Sequence, residues 1–297
     1  AYDENPDDTS LANMLRQSIE ITARLPVIAA HSYAIYKNYF FDRSLHLHYP
    51  RPDLNTAQNF LRVLRSDKSF AEEEARLLDL CLVLHAEHGG GNNSSFACRV
   101  LSSTGTDTYS AISAAIGSLK GPRHGGANIK VEEMFENIKT NVPNPKDDGQ
   151  ISDYLLKILK GEANDGSGLI YGMGHAVYTL SDPRAVMLKR YARSLAEKKG
   201  FLDDFELLER IERLTPQVFN EYKKTDKATC ANVDLYSGLV YRMLGIPVEL
   251  YTPLFAVARV AGWCAHRMEE YVTARRIIRP GYKCIERPRQ YKPLDER

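Results

Sequence analysis

The stretch Gly121-Pro122-Arg123-His124-Gly125-Gly126-Ala127-Asn128 divides two helical segments, and no single regular element can run through it. Ahead of it, residues 107–120 (DTYSAISAAIGSLK) are Ala-rich and amphipathic. Behind it, Ile129, Val131, Met134, Phe135 and Ile138 recur at helical spacing. Gly121 tolerates a left-handed cap, and Pro122 cannot continue a helical ladder. His124 is thereby set just before a helix N-terminus. The positive end of a helix disfavours imidazolium, so a neutral, hydrogen-bond-donating histidine suits this place. The plainer alternative is an incidental surface histidine in a helix–turn–helix connection.

The rest of the chain reads in the same period. Helical patterns cover residues 11–21, 25–39, 57–64, 72–88, 96–101, 151–161, 184–199, 205–220, 239–244 and 254–271. Strand signals are few, so the chain is expected to be nearly all-α. Residues 25–39 read as a buried helix with Pro26 in its first turn. Residues 72–88 open with Glu72, Glu73 and Glu74, where a helix dipole favours acids, and close at Gly89-Gly90-Gly91. Asp182-Pro183 reads as N-cap and first helical residue of the segment that follows. Of the 297 residues, 43% are apolar and 26% charged, which fits a globular class. A formal charge of +1 excludes a global nucleic-acid signature. No apolar run reaches the roughly 18 residues of a membrane span. The cysteines (Cys81, Cys98, Cys230, Cys264 and Cys284) form no C-x-x-C pair, and reduced thiols in a reducing compartment are expected.

Candidate chemistry gathers in the glycine-rich breaks. His85 and His88 stand at i, i+3, a conceivable metal pair lacking a third ligand. His46 and His48 alternate with leucines and lack one too, so no metal site is assigned. Gly172 and Gly174 precede His175 as glycines surround His124, but a dinucleotide fingerprint needs a third glycine and a preceding strand. Arg184 falls in a first helical turn, unfavourable for a cation unless an anion sits beside it. Arg259 lies inside an apolar helix, where burial demands an anionic partner, from the protein or from a ligand. Asp234 stands at or near a helix start. A carboxylate base with neutral imidazole donors suits proton abstraction beside a carbonyl, and arginines clamp carboxylates through paired N–H groups.

Six motifs then stand in a telling order: His85-Ala-Glu-His88-Gly-Gly, Gly121-Pro-Arg-His124-Gly-Gly-Ala-Asn, Gly172-Met-Gly-His175-Ala-Val-Tyr with Asp182-Pro-Arg184, Asn232-Val-Asp234-Leu-Tyr-Ser-Gly, Val257-Ala-Arg259-Val-Ala-Gly-Trp263-Cys-Ala-His266, and Glu286-Arg287-Pro-Arg289-Gln. Together they resemble the citrate synthase family, and the stretch 11–64 resembles the helical part that precedes the first motif. The resemblance implies an all-α homodimer with large and small helical domains and an active site in the cleft between them. The large domain's first part would be 1–122, the small domain 123–235, and the large domain's last part with the C-terminal tail 236–297.

The implied reaction condenses acetyl-CoA with oxaloacetate and hydrolyses the citryl thioester, a step of the tricarboxylic acid cycle. By motif, Asp234 would remove the acetyl methyl proton, His124 would donate to the enolate oxygen, and His175 would polarise the ketone of oxaloacetate. His88, Arg184 and Arg259 would hold oxaloacetate, with Arg287 reaching in from the partner subunit. CoA would contact the backbone at Gly121, Leu169, Gly172 and Gly174. Acetyl-CoA is a co-substrate, and no permanently bound cofactor, metal, nucleic acid or membrane partner is expected. A cytoplasmic setting is expected, with a mitochondrial one as the alternative.

Two departures accompany the resemblance. Arg123 replaces an apolar or small residue ahead of His124. The family pattern also implies a substantial helical portion before residue 1. The alternatives are a 2-methylcitrate synthase using propionyl-CoA, since one methylene is worth only ~1–3 kcal/mol in an apolar pocket, and a non-catalytic helical scaffold.

Overall fold

A computed structural model describes residues 3–122, 124–175, 178–273, 276–281, 283, 285–287 and 289–296. Arg123 and Cys284, singled out above, lie outside the described residues. Eleven α-helices of the described residues carry the fold: α1 Leu11–Phe41, α2 Thr56–Leu64, α3 Glu72–His85, α4 Asn93–Ser102, α5 Thr108–Leu119, α6 Ala127–Asn141, α7 Asp148–Leu159, α8 Pro183–Lys199, α9 Leu202–Lys223, α10 Asp234–Met243 and α11 Tyr251–Thr273. The only β-type pairing among the described residues is an isolated antiparallel bridge between Met173 and Ala231. None of these helices is long and apolar enough to cross a membrane.

Local chemistry explains most helix starts. Asn55 and Gln58 form a reciprocal capping box on α2. The side chains of Asp107, Asp147 and Asp182 accept from first-turn amides of α5, α7 and α8. Gly200, at φ +75°, closes α8 in the left-handed conformation.

Several expected boundaries move, and three of them change how a singled-out residue is placed. Residues 11–21 and 25–39 are one helix, α1, with Pro26 in its interior. Proline removes one N–H from the ladder, a local loss that the packing of α1 against α2 and α11 outweighs. This helix is also less buried than its apolar pattern suggests, since Ile28, Ile35, Tyr39 and Phe40 are exposed. The helix expected over 72–88 ends at His85, so His88 stands in a loop. The segment expected to begin at residue 239 begins at Asp234.

Helix α11 packs on α1, α3, α4 and α5, while α10 packs chiefly on α6 and α8. One core runs from Phe60 and Leu78 through Phe135, Leu155 and Phe205 to Leu239, crossing position 122 without a break. A second, smaller core surrounds Trp263 with Cys98, Ile112 and Val260. Among the described cysteines all four are free and buried. The candidate residues sit in the loop after α3, in the break ahead of α6, in the loop ahead of α8, at the starts of α8 and α10, and inside α11.

Candidate active site

Arg259 is the deepest charge of the cleft. It is fully buried on α11, and its Nε donates to the His85 carbonyl at 2.6 Å. Its Nη1 and Nη2 are buried with no hydrogen-bond partner among the described residues. The guanidinium lies over the Phe255 ring, 4.8 Å from its centroid. Burial lowers the Arg259 pKa to about 10, opposed by the nearby charge of Glu87. An unpaired buried guanidinium is a strongly unfavourable group unless an anion meets its fork.

Phe255, one turn before Arg259, is the ring around which the site is assembled. The His85 ring meets it edge-on at 5.1 Å and the His124 ring at 6.3 Å. His85 is fully buried, donates through Nδ1 to the Cys81 carbonyl at 2.8 Å, and is lowered to about 4 by burial. It is a neutral core residue, and the His85/His88 metal pair does not form, because α3 ends between them. His31 and His48 bond backbone carbonyls. No group of three or more metal-ligand side chains occurs among the described residues.

His124 is held by a chain of polar contacts. Its Nε2 lies 3.0 Å from Ser94 Oγ, which also accepts the Trp263 indole N–H at 3.1 Å and stands 2.9 Å from Asn92 Oδ1. A hydroxyl has one proton to give. Given to His124 Nε2, it leaves the imidazole's own proton on Nδ1; given to Asn92, it makes His124 donate from Nε2. Burial, with the charge of Arg259, lowers the His124 pKa and keeps the ring neutral. Sequence reasoning placed His124 but missed Ser94. Its position one residue inside α4 gave no signal, since its partners come from α11 and from the break.

The loop carrying His175 is pinned beside α10 by main-chain bonds. Gly174 N donates to the Cys230 carbonyl at 2.7 Å and Asn232 N to the Gly172 carbonyl at 2.9 Å. Asn232 secures the junction: Nδ2 donates to Gly174 O, and Oδ1 accepts from the Asp234 amide, each at 3.0 Å. Gly172 permits the approach. It has φ +81°, and a Cβ there would stand 2.9 Å from Leu235 Cα. Gly172 therefore faces α10 rather than the cleft. Leu169 and Gly174 line a cavity of about 160 Å³ with Met173, His175, Tyr178 and Lys227. Gly121 is not on that wall. Lys227, an exposed cation at this cavity, is a residue the sequence reading did not single out.

Asp182, Arg184 and His175 form a second polar chain. Asp182 is buried, caps α8 and takes two bonds from Arg184, Nε to Oδ1 at 3.0 Å and Nη2 to Oδ2 at 2.8 Å. Burial works to raise the Asp182 pKa, but Arg184 outweighs it and holds the carboxyl below its usual range. Arg184 thus has its anionic partner in the residue read only as a cap. The Tyr178 amide donates to His175 Nδ1 at 3.0 Å, which places the neutral ring's proton on Nε2. That Nε2 lies 3.1 Å from Arg184 Nη2. In this tautomer both atoms are donors, so the contact is not a hydrogen bond, and an oxygen bridging them would satisfy both. The His175 ring stacks on that of His88 at 5.2 Å with 8° between the planes, and burial lowers both pKa values.

Asp234 opens α10, half-buried at the cleft. Burial is the largest cause that raises its pKa to about 6; Asp182 adds to the rise, and Arg184 and Arg259 oppose it. A carboxylate poised near neutrality is suited to exchange protons with a weak carbon acid. The structure therefore brings together His88, His124, His175, Arg184, Asp234 and Arg259. It does not bring Arg287 to them: that side chain is exposed in the C-terminal tail, and no hydrogen bond or ion pair among the described residues joins it to the cleft.

A profile described as citrate synthase, C-terminal domain, matches residues 1–281. The citrate synthase of Haloferax volcanii is 36% identical over 301 residues, covering 100% of this chain and 72% of that protein. The citrate synthase of Synechocystis sp. is 40% identical over 249 residues, covering 84% of this chain and 58% of that protein. Among solved structures, the ternary complex of Thermoplasma acidophilum citrate synthase with carboxymethyl coenzyme A and oxaloacetate superposes with a TM-score of 0.77 at 28% identity. That match covers 100% of this chain and 71% of the other. The fold is all-α and is shared with solved citrate synthases, which places the chain in a class of helical enzymes. The chain belongs to the citrate synthase family. It spans between about half and three quarters of the length of such relatives.

Proposed function

We propose that this chain condenses acetyl-CoA with oxaloacetate and hydrolyses the citryl thioester, giving citrate and CoA. The observation that carries the reading is Arg259, a buried guanidinium whose two Nη groups have no hydrogen-bond partner among the described residues and whose fork matches a carboxylate. Oxaloacetate brings two carboxylates and a ketone. Arg259 and Arg184 take the carboxylates, His88 supports the ligand, and His175 Nε2–H polarises the ketone oxygen. Asp234, as carboxylate, removes a methyl proton of the acetyl group. His124 donates from Nδ1 to the enolate oxygen, which requires the Ser94 hydroxyl to turn its proton from Asn92 to His124 Nε2. The enolate carbon attacks the polarised carbonyl, the ketone π pair moves to its oxygen, and that oxygen takes the proton from His175 Nε2. Water then adds to the thioester carbon, the C–S bond breaks, and the thiolate leaves and is protonated.

The backbone at Leu169 and Gly174 borders the cavity assigned to part of CoA, and Lys227 supplies a cation there for a phosphate. The proposed division keeps 1–122 and 236–297 as one domain and 123–235 as the other. Ligands for oxaloacetate would then come from both, and closure would follow its binding. The active species is a homodimer, with Arg287 entering the partner's cleft. Exposed Val83 on α3 and Val186 and Met187 on α8, two helices packed together, offer an apolar face for that association.

Thiol release tests the reading, with oxaloacetate present and with acetyl-CoA, propionyl-CoA or no acyl donor. Release dependent on acetyl-CoA supports it. A strong preference for propionyl-CoA transfers the assignment to 2-methylcitrate synthesis, and no release above the no-donor control rejects both.

A further inference from the structure

His88 is a proposed ligand of oxaloacetate carried on an irregular loop. Its loop, residues 86–91, follows the end of α3 and is gripped from outside by one face of α11. Arg259, Gly262 and His266 stand at i, i+3 and i+7 on that face, a helical stripe. Arg259 Nε binds the His85 carbonyl at 2.6 Å. At Gly262 a Cβ would collide with the Ala86 carbonyl and the Glu87 carboxylate, so only glycine lets the loop sit this close. At His266, Nε2 lies 2.9 Å from Glu87 Oε1. The other ring nitrogen, Nδ1, lies 3.4 Å from Glu269 Oε2, an electrostatic contact without hydrogen-bond geometry. Arg99 of α4 faces the same cluster and pairs with Glu269 at 3.0 Å and Glu270 at 2.8 Å.

Glu87 closes the turn around His88 from both ends. Its carboxylate accepts from the Gly89 amide on the far side of His88 while it binds His266. Burial raises the Glu87 pKa, but His266 and the Gly89 amide outweigh this and hold the carboxyl below its usual range. The His266 side chain retains only 13% exposure, against 48% for Glu87, so the ring is the fixed end of the pair. His266 belongs to the α11 motif, yet nothing in the proposed chemistry uses it.

We propose that His266 is a positioning residue for oxaloacetate binding: through Glu87 it holds the turn that presents His88 to the ligand. The inference rests on the function proposed above. It assigns His266 no contact with the reacting atoms, so it separates binding from chemistry.

The test compares the parent with His266→Leu, which keeps bulk and removes both ring nitrogens, and His266→Gln, whose amide can still donate to Glu87. Oxaloacetate KM, acetyl-CoA KM and kcat are measured, together with oxaloacetate affinity by calorimetry without acyl donor. His266→Leu is expected to raise the oxaloacetate KM and Kd roughly three- to tenfold, the scale of one partly exposed charged hydrogen bond. Its kcat and acetyl-CoA KM should stay within about twofold of the parent, and the glutamine should recover most of the affinity. Glu87→Gln on the leucine background should add little, because the pair acts as a unit. Unchanged oxaloacetate affinity in the folded leucine variant overturns the inference, as does an equal loss in kcat. Should that variant melt below the assay temperature, His266→Asn, too short to span to Glu87, is judged by the same criteria. A parent that binds no oxaloacetate overturns the function reading and this inference with it. A parent that binds, with variants that match it, overturns this inference alone.

Discussion

Replacing Asp234 by Asn should abolish turnover and, at neutral pH, stabilise the fold. The carboxyl is raised from 3.8 to about 6, burial being the largest cause. At about 1.36 kcal/mol per pH unit this is on the order of 3 kcal/mol. A carboxyl whose folded pKa is raised binds more protons in the native than in the unfolded state between those two values. Stability therefore falls as pH rises from about 3.8 to about 6, and the full penalty persists above that. The parent carries this penalty at pH 8 and the asparagine variant does not. Because Asp234 keeps partial access to the cleft, water screens part of the effect, and a gain of about 1–3 kcal/mol is expected. For a chain of this length that is several degrees in Tm. Thermal melts of parent and variant from pH 4.5 to 8.5 read it directly. The difference in Tm should widen up to about pH 6 and then stay level. Other carboxylates titrate alike in both proteins and cancel in the comparison. Turnover should fall by at least about 10²–10⁴, the range for a lost general base. A variant no more stable than the parent at pH 8 would refute the desolvation argument. Turnover within a few fold would remove Asp234 from the base role.

His124→Ala should lower kcat by about 10²–10³ with the oxaloacetate affinity little changed, and Ser94→Ala should reproduce a smaller part of that loss because the ring tautomer is no longer selected; an effect on affinity alone would make His124 a binding residue. Asp182→Asn releases Arg184 from its bidentate partner, and the oxaloacetate Kd measured by calorimetry should rise about tenfold or more; an unchanged Kd would show that Arg184 holds its place without Asp182. Arg287→Ala and Asp234→Ala homodimers, each nearly inactive, should recover activity when their subunits exchange, since each mixed dimer regains one complete site. No recovery despite proven exchange would place Arg287 in its own subunit's cleft or outside catalysis.

What could be read from the chain alone was whatever depends on neighbours in sequence. The helical period marked nearly every helix, the Gly-Pro break ahead of His124 marked a turn, and Asp182-Pro183 marked the start of α8, because caps and periodicity act over three or four residues. The need of Arg259 for an anion was also legible, since a charge inside an apolar helix has few outlets. Features set by distant segments were not legible. Pro26 reads as a helix start, yet packing carries α1 through it. His88 reads as the last turn of a helix, yet α3 stops at His85, where α11 meets its end. Asp182 reads as a cap, and only the fold shows its carboxylate also holding Arg184. The rise of the Asp234 pKa, the Ser94 link to His124 and Trp263, and the grip of His266 on Glu87 join groups up to 179 residues apart. Burial and hydrogen-bond partners are properties of three-dimensional neighbourhood, so the residue types were written in the sequence while their protonation, pairing and orientation were decided by the tertiary structure.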